Sequence, residues 1–417
     1  MTKLMNKKQE IKNRIDLINK GEIPEGYKKY HGFVHPIDWK HISFNKIFKE
    51  RCIKVSDTSK YPLYSLTIEN GVIPKTEQYE RSFLITKDED SYKVVKNNDF
   101  VYNPMNLRFG AIARYKDQED CSVSGYYNVF SIINSYNPYF MESFVKSQAM
   151  LNYYNTQATG SLIEKQRVHF SQFIEFNFVL PSEKEQEKIA EILSCCDKVI
   201  ELKEQLIKCY YEKRNFIIGY FLKNIKSKNI VKLGDVCEMF SGGTPSVENR
   251  QYYNNGTIPF IKSGEIENYQ TEDYITEDGL KNSSAKLVKQ GDLLVALYGA
   301  NSGNVALSKI SGAINQAILC IRSSFIDSYY LLILLKFNKD RIIQKYLQGG
   351  QGNLSAQIIK SLKFKIPTIE EQKKIVTIIS NIDKELKLLE QELEQYKQFK
   401  KSLSQLLLTG IVRVNEV

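Results

Sequence analysis

LPSEKEQEKIAEIL (residues 180–193) and IPTIEEQKKIVTII (residues 366–379) write one pattern twice, 186 positions apart. Each has a proline, a hydroxyl residue, then Glu-Gln four positions after the proline, then Lys-Ile and a charged run. Pro181 and Pro367 end whatever strand precedes them, because proline cannot donate to a ladder. Ser182 and Thr368 are the residue types that accept from the first free amides of a helix. Glu185 and Glu371 stand at capping-box spacing from them, and acidic first turns suit the positive helix end. From Ile375 the apolar side chains recur in steps of four and three: Ile375, Ile379, Ile382, Leu386, Leu389, Leu393, Tyr396, Leu403 and Leu407, with Lys400 a polar interruption. The same slots 186 positions earlier hold Ile189, Leu193, Cys196, Ile200, Lys203, Ile207, Tyr210, Arg214, Ile217 and Phe221. Such steps lay a narrow stripe along a helix, the seam of a coiled coil.

The reading is therefore two helices of about 42 residues, ~60 Å long at 1.5 Å per residue, the second stopped by Gly410. A seam needs a partner, and a second copy in the same chain is held at high effective concentration. Antiparallel pairing within the chain is expected, with Ile189, Leu193, Ile200, Ile207, Tyr210 and Ile217 facing Ile375, Ile382, Leu389, Leu393, Tyr396 and Leu403. Ordinary helices each packed on its own sheet, or a coiled coil between two chains, are the alternatives.

What precedes each helix also repeats. Trp39–Phe48 parallels Val231–Cys237, Tyr61–Thr67 parallels Ile258–Gly264, Asn98–Tyr102 parallels Gly291–Leu297, and Gly110–Ala113 parallels Gly303–Ala306. These are short β-branched or aromatic runs between Gly, Asn, Asp and Ser, the pattern of strands and turns. A helical pattern then follows at 138–154 and 326–347, each leading to a polar loop with glycine, 156–160 and 348–353. The fold class is α/β (α+β): two similar mixed globules and two long helices. The expected division is an N-terminal arm 1–38, a first globule 39–180, a long helix 181–226, a second globule 227–366, a second long helix 367–410 and a tail 411–417.

A chain of 417 residues with 42% hydrophobic and 25% charged residues is an ordinary globular composition for two to four domains. The run Tyr329–Leu335 is far short of the ~20 apolar residues of a membrane span, and MTKLMNKKQEIKNR has no apolar core of a secretory signal. A cytoplasmic protein without membrane contact is expected. The seven cysteines form no CxxC pair and only His31, His35, His41 and His169 exist, so zinc spacing is absent and no metal is expected. The formal charge is +10, yet residues 181–223 hold eight Lys/Arg against eight Asp/Glu, and residues 367–410 seven against seven. The excess lies on the globules and the arm, as a polyanion-binding surface would have it.

Together these residues resemble the specificity subunits of type I restriction-modification enzymes over nearly the whole chain. The resemblance rests on Pro181 with Glu185-Gln186 and Ile189, and on Pro367 with Glu371-Gln372 and Ile375. In the second globule it rests on Ser241-Gly-Gly-Thr-Pro245, Ile258–Ile266, Gly291–Val295, Ile314–Ala317 and Gly352–Ser355. The first globule departs from it, lacking a Ser-Gly-Gly-Thr-Pro loop. The resemblance implies a target-recognition domain in each globule, each binding half of a split double-stranded DNA site. It implies two methyltransferase subunits that use S-adenosylmethionine, motor-nuclease subunits that use ATP and Mg, and no catalysis or cofactor in this chain. Two similar globules on a helix pair would suit half-sites about one helical turn, ~34 Å, apart.

The candidate DNA-binding residues are Ser241, Gly242, Gly243, Thr244, Lys262, Ser263, Gln348, Gln351 and Asn353 in the second domain, and Arg108, Arg114 and Tyr126 in the first. Lys and Arg set position on phosphates, Asn and Gln can bond two atoms of adenine, and glycine lets backbone come close. Tyr127 is a candidate beside Tyr126, with core positions the favoured reading for both tyrosines, and Asn315-Gln316 are read as buried structural amides between strands. Asn103-Pro-Met-Asn106 and Asn137-Pro-Tyr-Phe140 fall short of the Asn-Pro-Pro-Tyr element of adenine methyltransferases. No GxGxxG, P-loop or Pro-Asp dipeptide occurs, which disfavours the rival of a stand-alone methyltransferase or nuclease. A coiled-coil scaffold without a DNA role is the other rival, and it would bind without sequence preference or salt dependence.

Overall fold

The computed structural model describes residues 2–56, 59–75, 92–133, 135–162, 166–225, 230–346 and 353–414, so the candidates Gln348 and Gln351 lie outside the described residues. Two compact units result, residues 1–202 with 393–417, and residues 203–392. Each unit combines one globule with part of each long helix, so the division falls within both helices.

Both units use one topology. In the first, a four-stranded sheet runs in the order Ile112–Arg114, Phe100–Tyr102, Asn128–Ile132, Phe48–Glu50. The second repeats it as Val305–Leu307, Leu293–Ala296, Ile318–Arg322, Glu238–Ser241. Beside it in the second unit, Ile258–Ile261 runs parallel to Gly312–Ile314 with Phe260 opposite Ala313. Among the described residues the first unit shows a single parallel bridge there, Leu63 opposite Ser122. A two-stranded pair, Lys40–Ser43 with Asn177–Leu180 and Ile230–Lys232 with Lys363–Lys365, delivers the chain to each long helix. The expected strand 231–237 is shorter, since a helical turn, Leu233–Val236, replaces its second half. The helical stretches 138–154 and 326–347 each break in two. Ser147 accepts from the amide of Met150 and starts a new helix after Pro138–Val145, and Asn338 separates Ser328–Phe337 from Lys339–Tyr346.

The core of the first unit is built from phenylalanines. Phe44, Phe48, Phe100, Phe130, Phe173 and Phe178 pack with Ile189 and Leu193 of one long helix and Leu407 and Leu408 of the other. Such rings bury large apolar area, and their tilted and edge-on contacts add to it. The second unit relies on aliphatic strands instead, with Leu294, Ala296, Ile314, Ile318 and Cys320 in one cluster.

The long helices are Glu183–Lys223 and Ile369–Leu408, close to the expected bounds. The repeated glutamine has a clear task. Gln186 and Gln372 are buried, and the side-chain Nε2 of each donates to the carbonyl of Pro181 or Pro367 at 3.0 Å, so that the proline carbonyl at each strand-to-helix junction is satisfied. The caps differ. Thr368 and Glu371 exchange both bonds of a capping box. At the first helix the Ser182 hydroxyl accepts from the Glu185 amide, but the Glu185 carboxylate turns instead to the Trp39 indole and to Arg413. The capping box read there from spacing is therefore half formed, because the buried carboxylate has stronger partners.

The helices pair antiparallel within the chain. In the second unit Lys203 meets Glu392 at 2.7 Å, Tyr211 meets Glu390 at 2.6 Å and Arg214 meets Asp383 through Nη2 at 3.1 Å, so one numbering rises as the other falls. In the first unit Lys400 bonds Asp197. Along the seam Ile189, Leu193, Ile207, Ile375 and Ile382 are buried, and Ile200, Tyr210, Ile217, Leu389, Leu393 and Leu403 are partly buried. Tyr396 departs from the expectation, standing 42% exposed: away from the globules a pair of helices covers each side chain from one direction only.

The arm, left open by the sequence, is a helix, Thr2–Asn19, and a hairpin of Tyr27–Tyr30 with Phe33–Pro36. It closes over the end of the second long helix. The Tyr27 hydroxyl donates to the carbonyl of Gly410 at 2.7 Å, and Arg14 donates to that of Ile411. Gly410 has φ +70°, and a Cβ there would stand 2.6–2.8 Å from Pro36 and Trp39, so this stop requires glycine twice over. Arg413 then bridges Asp38 and the buried Glu185. Among the described residues, no helix is long and apolar enough to cross a membrane.

Candidate nucleic-acid interface

In the second unit the candidate loops gather along one rim by simple ladder geometry. The parallel strands Ile258–Ile261 and Gly312–Ile314 end side by side, with Ile261 opposite Ile314, so Lys262-Ser263 and Asn315-Gln316 leave the sheet together. Gly242 and Gly243 lie against that end. The Gly243 amide donates to the Ile314 carbonyl at 3.2 Å, and a Cβ on Gly242 would fall 1.8 Å from that same oxygen. Ser241 ends its strand just before this contact, and Thr244 just after it donates to Gln316 Oε1 at 2.6 Å. On the other side the Leu297 amide donates to the Ala317 carbonyl, and Leu354 donates to Leu297. The Gly299 amide donates to Asn353 Oδ1 at 3.3 Å. Five segments distant in sequence thus form one continuous edge.

Its polar groups are held rather than loose. Lys262 pairs with Asp273 at 2.6 Å, and that hydrogen bond raises the ammonium above its ordinary value. The Lys262 amide donates to the Glu265 carboxylate, which also takes the hydroxyl of Thr271, so the loop is tied at its base. Thr244 and Asn353 are exposed, while Ser241, Lys262 and Ser263 are partly buried. Gln316 was read as a buried amide, and this is corrected: it is exposed, lifted out of the strand ends by a turn in which Asn315 Oδ1 accepts from the Ala317 amide at 3.1 Å. Asn315 is partly buried and serves that turn.

The first unit presents the matching rim with other chemistry. The strand Phe100–Tyr102 leads to a turn, Leu107–Phe109, closed by Gly110 at φ +97°. This occupies the place of Gly299–Asn301 and Gly303 in the second unit. Arg108 lies over the Phe109 ring at 4.6 Å and donates to Gln166 Oε1 at 2.9 Å. Phe109 itself is 53% exposed, a feature that no pattern in the sequence flagged. Tyr126 is exposed on the turn between Cys121–Ser124 and Asn128–Ile132, the counterpart of Asn315–Ala317, and Tyr127 is partly buried against a smaller cluster of the same unit that includes Val95, Val101 and Val129. Arg114 is placed differently. Its guanidinium is taken by Glu142 at 3.2 Å and Asn98 at 2.6 Å on a half-enclosed face, committed to the domain's own packing.

The family model for the type I restriction modification DNA specificity domain matches residues 37–208 and again 225–398. The chain belongs to this family. Type I specificity subunits share its length as well. The chain is 22% identical to the MjaVIII specificity subunit of Methanocaldococcus jannaschii over 94% of its own length and 97% of that protein's. It is 24% identical to the EcoR124I/EcoR124II specificity subunit of Escherichia coli over 50% of its length and 57% of that protein's. Among solved structures, a chain from work on complex assembly and conformational transition of the type I R-M system matches with TM-score 0.60, at 15% identity over 91% of this chain and 99% of that one. The type I S subunit from M. genitalium matches with TM-score 0.54, at 14% identity over 91% and 97%. Both likenesses are of fold, and the two family matches coincide with the topology found twice.

Proposed function

We propose that this chain is the DNA-reading subunit of a type I restriction-modification complex, binding a bipartite duplex site with one half-site per globular domain. The recognition domains are residues 39–180 and 227–366, and the helices 181–226 and 367–410 join them. The chain performs no catalysis. It directs two methyltransferase subunits, with S-adenosylmethionine as their methyl donor, and motor-nuclease subunits that consume ATP with Mg, all in the cytoplasm.

One observation carries this reading: a single topology is folded twice with different chemistry on the same rim. The second domain offers Thr244, Lys262, Gln316 and Asn353, and the first offers Arg108, Phe109 and Tyr126. A scaffold would have no reason to vary the rim while preserving the ladder beneath it, whereas two readers of different half-sites require that variation. The neutral helices and basic globules agree, since cations on the globules supply phosphate contacts that set position.

The test is an exchange of residues 231–366 for the corresponding domain of another family member. Genome-wide mapping of methylated bases in the host should show one half-site replaced and the other kept. A change in both halves, or in neither, would refute modular readout.

A further inference from the structure

Gln316 and Thr244 form a pair whose geometry says more than that this rim touches DNA. Their side-chain oxygens stand 2.6 Å apart, and both residues are exposed. The Thr244 hydroxyl donates to the amide oxygen, which orients the carboxamide. Oε1 then keeps one more lone pair, and Nε2 offers two hydrogens. An acceptor and a donor side by side, in fixed order, match the N6 amino group and N7 of adenine in the major groove. Guanine presents two acceptors at that edge and would set its O6 against Oε1.

We propose that Gln316, oriented by Thr244, reads one adenine in the half-site bound by the second domain. The inference rests on the DNA-reading function proposed above and names a residue that carries it. The support beneath the pair is rigid. Gly243 is bonded to Ile314, Gly242 has no room for a side chain against that carbonyl, and Asn315 locks the turn through the Ala317 amide. A side chain held before DNA arrives loses little freedom on binding, so its hydrogen bonds go into discrimination. The first domain has Tyr126 on the equivalent turn, which offers neither this acceptor–donor order nor a threonine partner. The two halves should therefore differ at this position.

To test this, the full chain is tagged in its host, its native complex is recovered, and the complex is offered randomised duplexes whose bound fraction is sequenced. Wild type should enrich a bipartite motif. Gln316→Ala should lose preference for adenine at one position of one half by roughly ten- to a hundredfold, every other position being kept. Thr244→Val, which keeps the shape but frees the amide, should lose part of that preference at the same position. Neither variant should alter the salt dependence, because an amide neutralises no phosphate. Duplexes carrying 7-deazaadenine at that position should be bound by wild type as poorly as ordinary duplexes are bound by Gln316→Ala. An unchanged motif, degeneracy in both halves, degeneracy at a G·C pair, or loss of all enrichment by both variants would overturn the proposal; the last would assign the pair to folding. Failure of wild type to enrich any bipartite motif would instead sink the functional reading on which this rests.

Discussion

Asp383 is the most informative single residue to remove. Its carboxylate accepts from Arg214 of the other long helix and, at 2.5 Å, from the hydroxyl of Tyr329 at the start of a domain helix. The same construction recurs in the first unit, where Asp197 accepts from Lys400 and from Tyr139. Asp197 and Asp383 stand 186 positions apart, as do Arg214 and Lys400. Each aspartate therefore ties its own helix to the other helix and to a recognition domain. Removing one partner of a fully buried ion pair costs about 3–5 kcal/mol. Here the Arg214 and Asp383 side chains are 20% and 28% exposed, which places Asp383→Ala near the lower end, about 3 kcal/mol. Tyr329→Phe deletes one hydrogen bond to a charged group and should cost about 1.5 kcal/mol. At the other site Lys400 and Asp197 are 29% and 45% exposed, so solvent screens that pair, and with the lost Tyr139 bond Asp197→Ala should cost about 2 kcal/mol, less than Asp383→Ala. Urea unfolding of the full chain, followed by hydrogen exchange in peptides from 203–223 and 369–392, separates this unit from the other. The reasoning is refuted if Asp197→Ala costs as much as Asp383→Ala, or if Asp383→Ala costs less than Tyr329→Phe.

Other outcomes follow from the same structure. Gly242→Ala places a methyl group 1.8 Å from the Ile314 carbonyl, so the sheet end must shift, and a loss of about 1–3 kcal/mol is expected in thermal melting together with weakened second half-site binding. Arg413→Ala leaves Glu185, whose side chain is 9% exposed, without its cation, and should destabilise the first unit by about 3 kcal/mol, read as faster exchange in residues 183–202. His35 is buried, and burial holds its imidazole below the ordinary value of 6.5, aided by Lys28 and His41. The unfolded chain thus binds the proton more readily, so stability is full above about pH 6.5 and falls as pH drops below it toward the folded value. Urea midpoints measured across that range should fall toward acid in wild type and fall less in His35→Phe.

The sequence by itself determined the two long helices, the capping box of the second and its stop, and the twofold repeat of the globules. The signals there are local or periodic: Pro181 and Pro367, the four-and-three spacing from Ile375, and Gly410 each act within a turn or two of their own position. Family membership was legible for the same reason, because the repeated motif sits where backbone chemistry is constrained. The tertiary structure alone decided the rest. Gln316 looked like a core amide because apolar strands flank it, and only the ladder partners of those strands show that it stands at their open end beside Thr244. Arg114 looked like a phosphate contact because it is a cation near a turn, yet Glu142 and Asn98, 28 and 16 positions away, claim it. The role of the arm was not legible in its own residues, since it comes from Gly410, Ile411 and Arg413 at the far end of the chain. Periodicity reports what a residue does to its own helix or strand, while the partner across space is set by how the chain returns, and no neighbouring letter records that return.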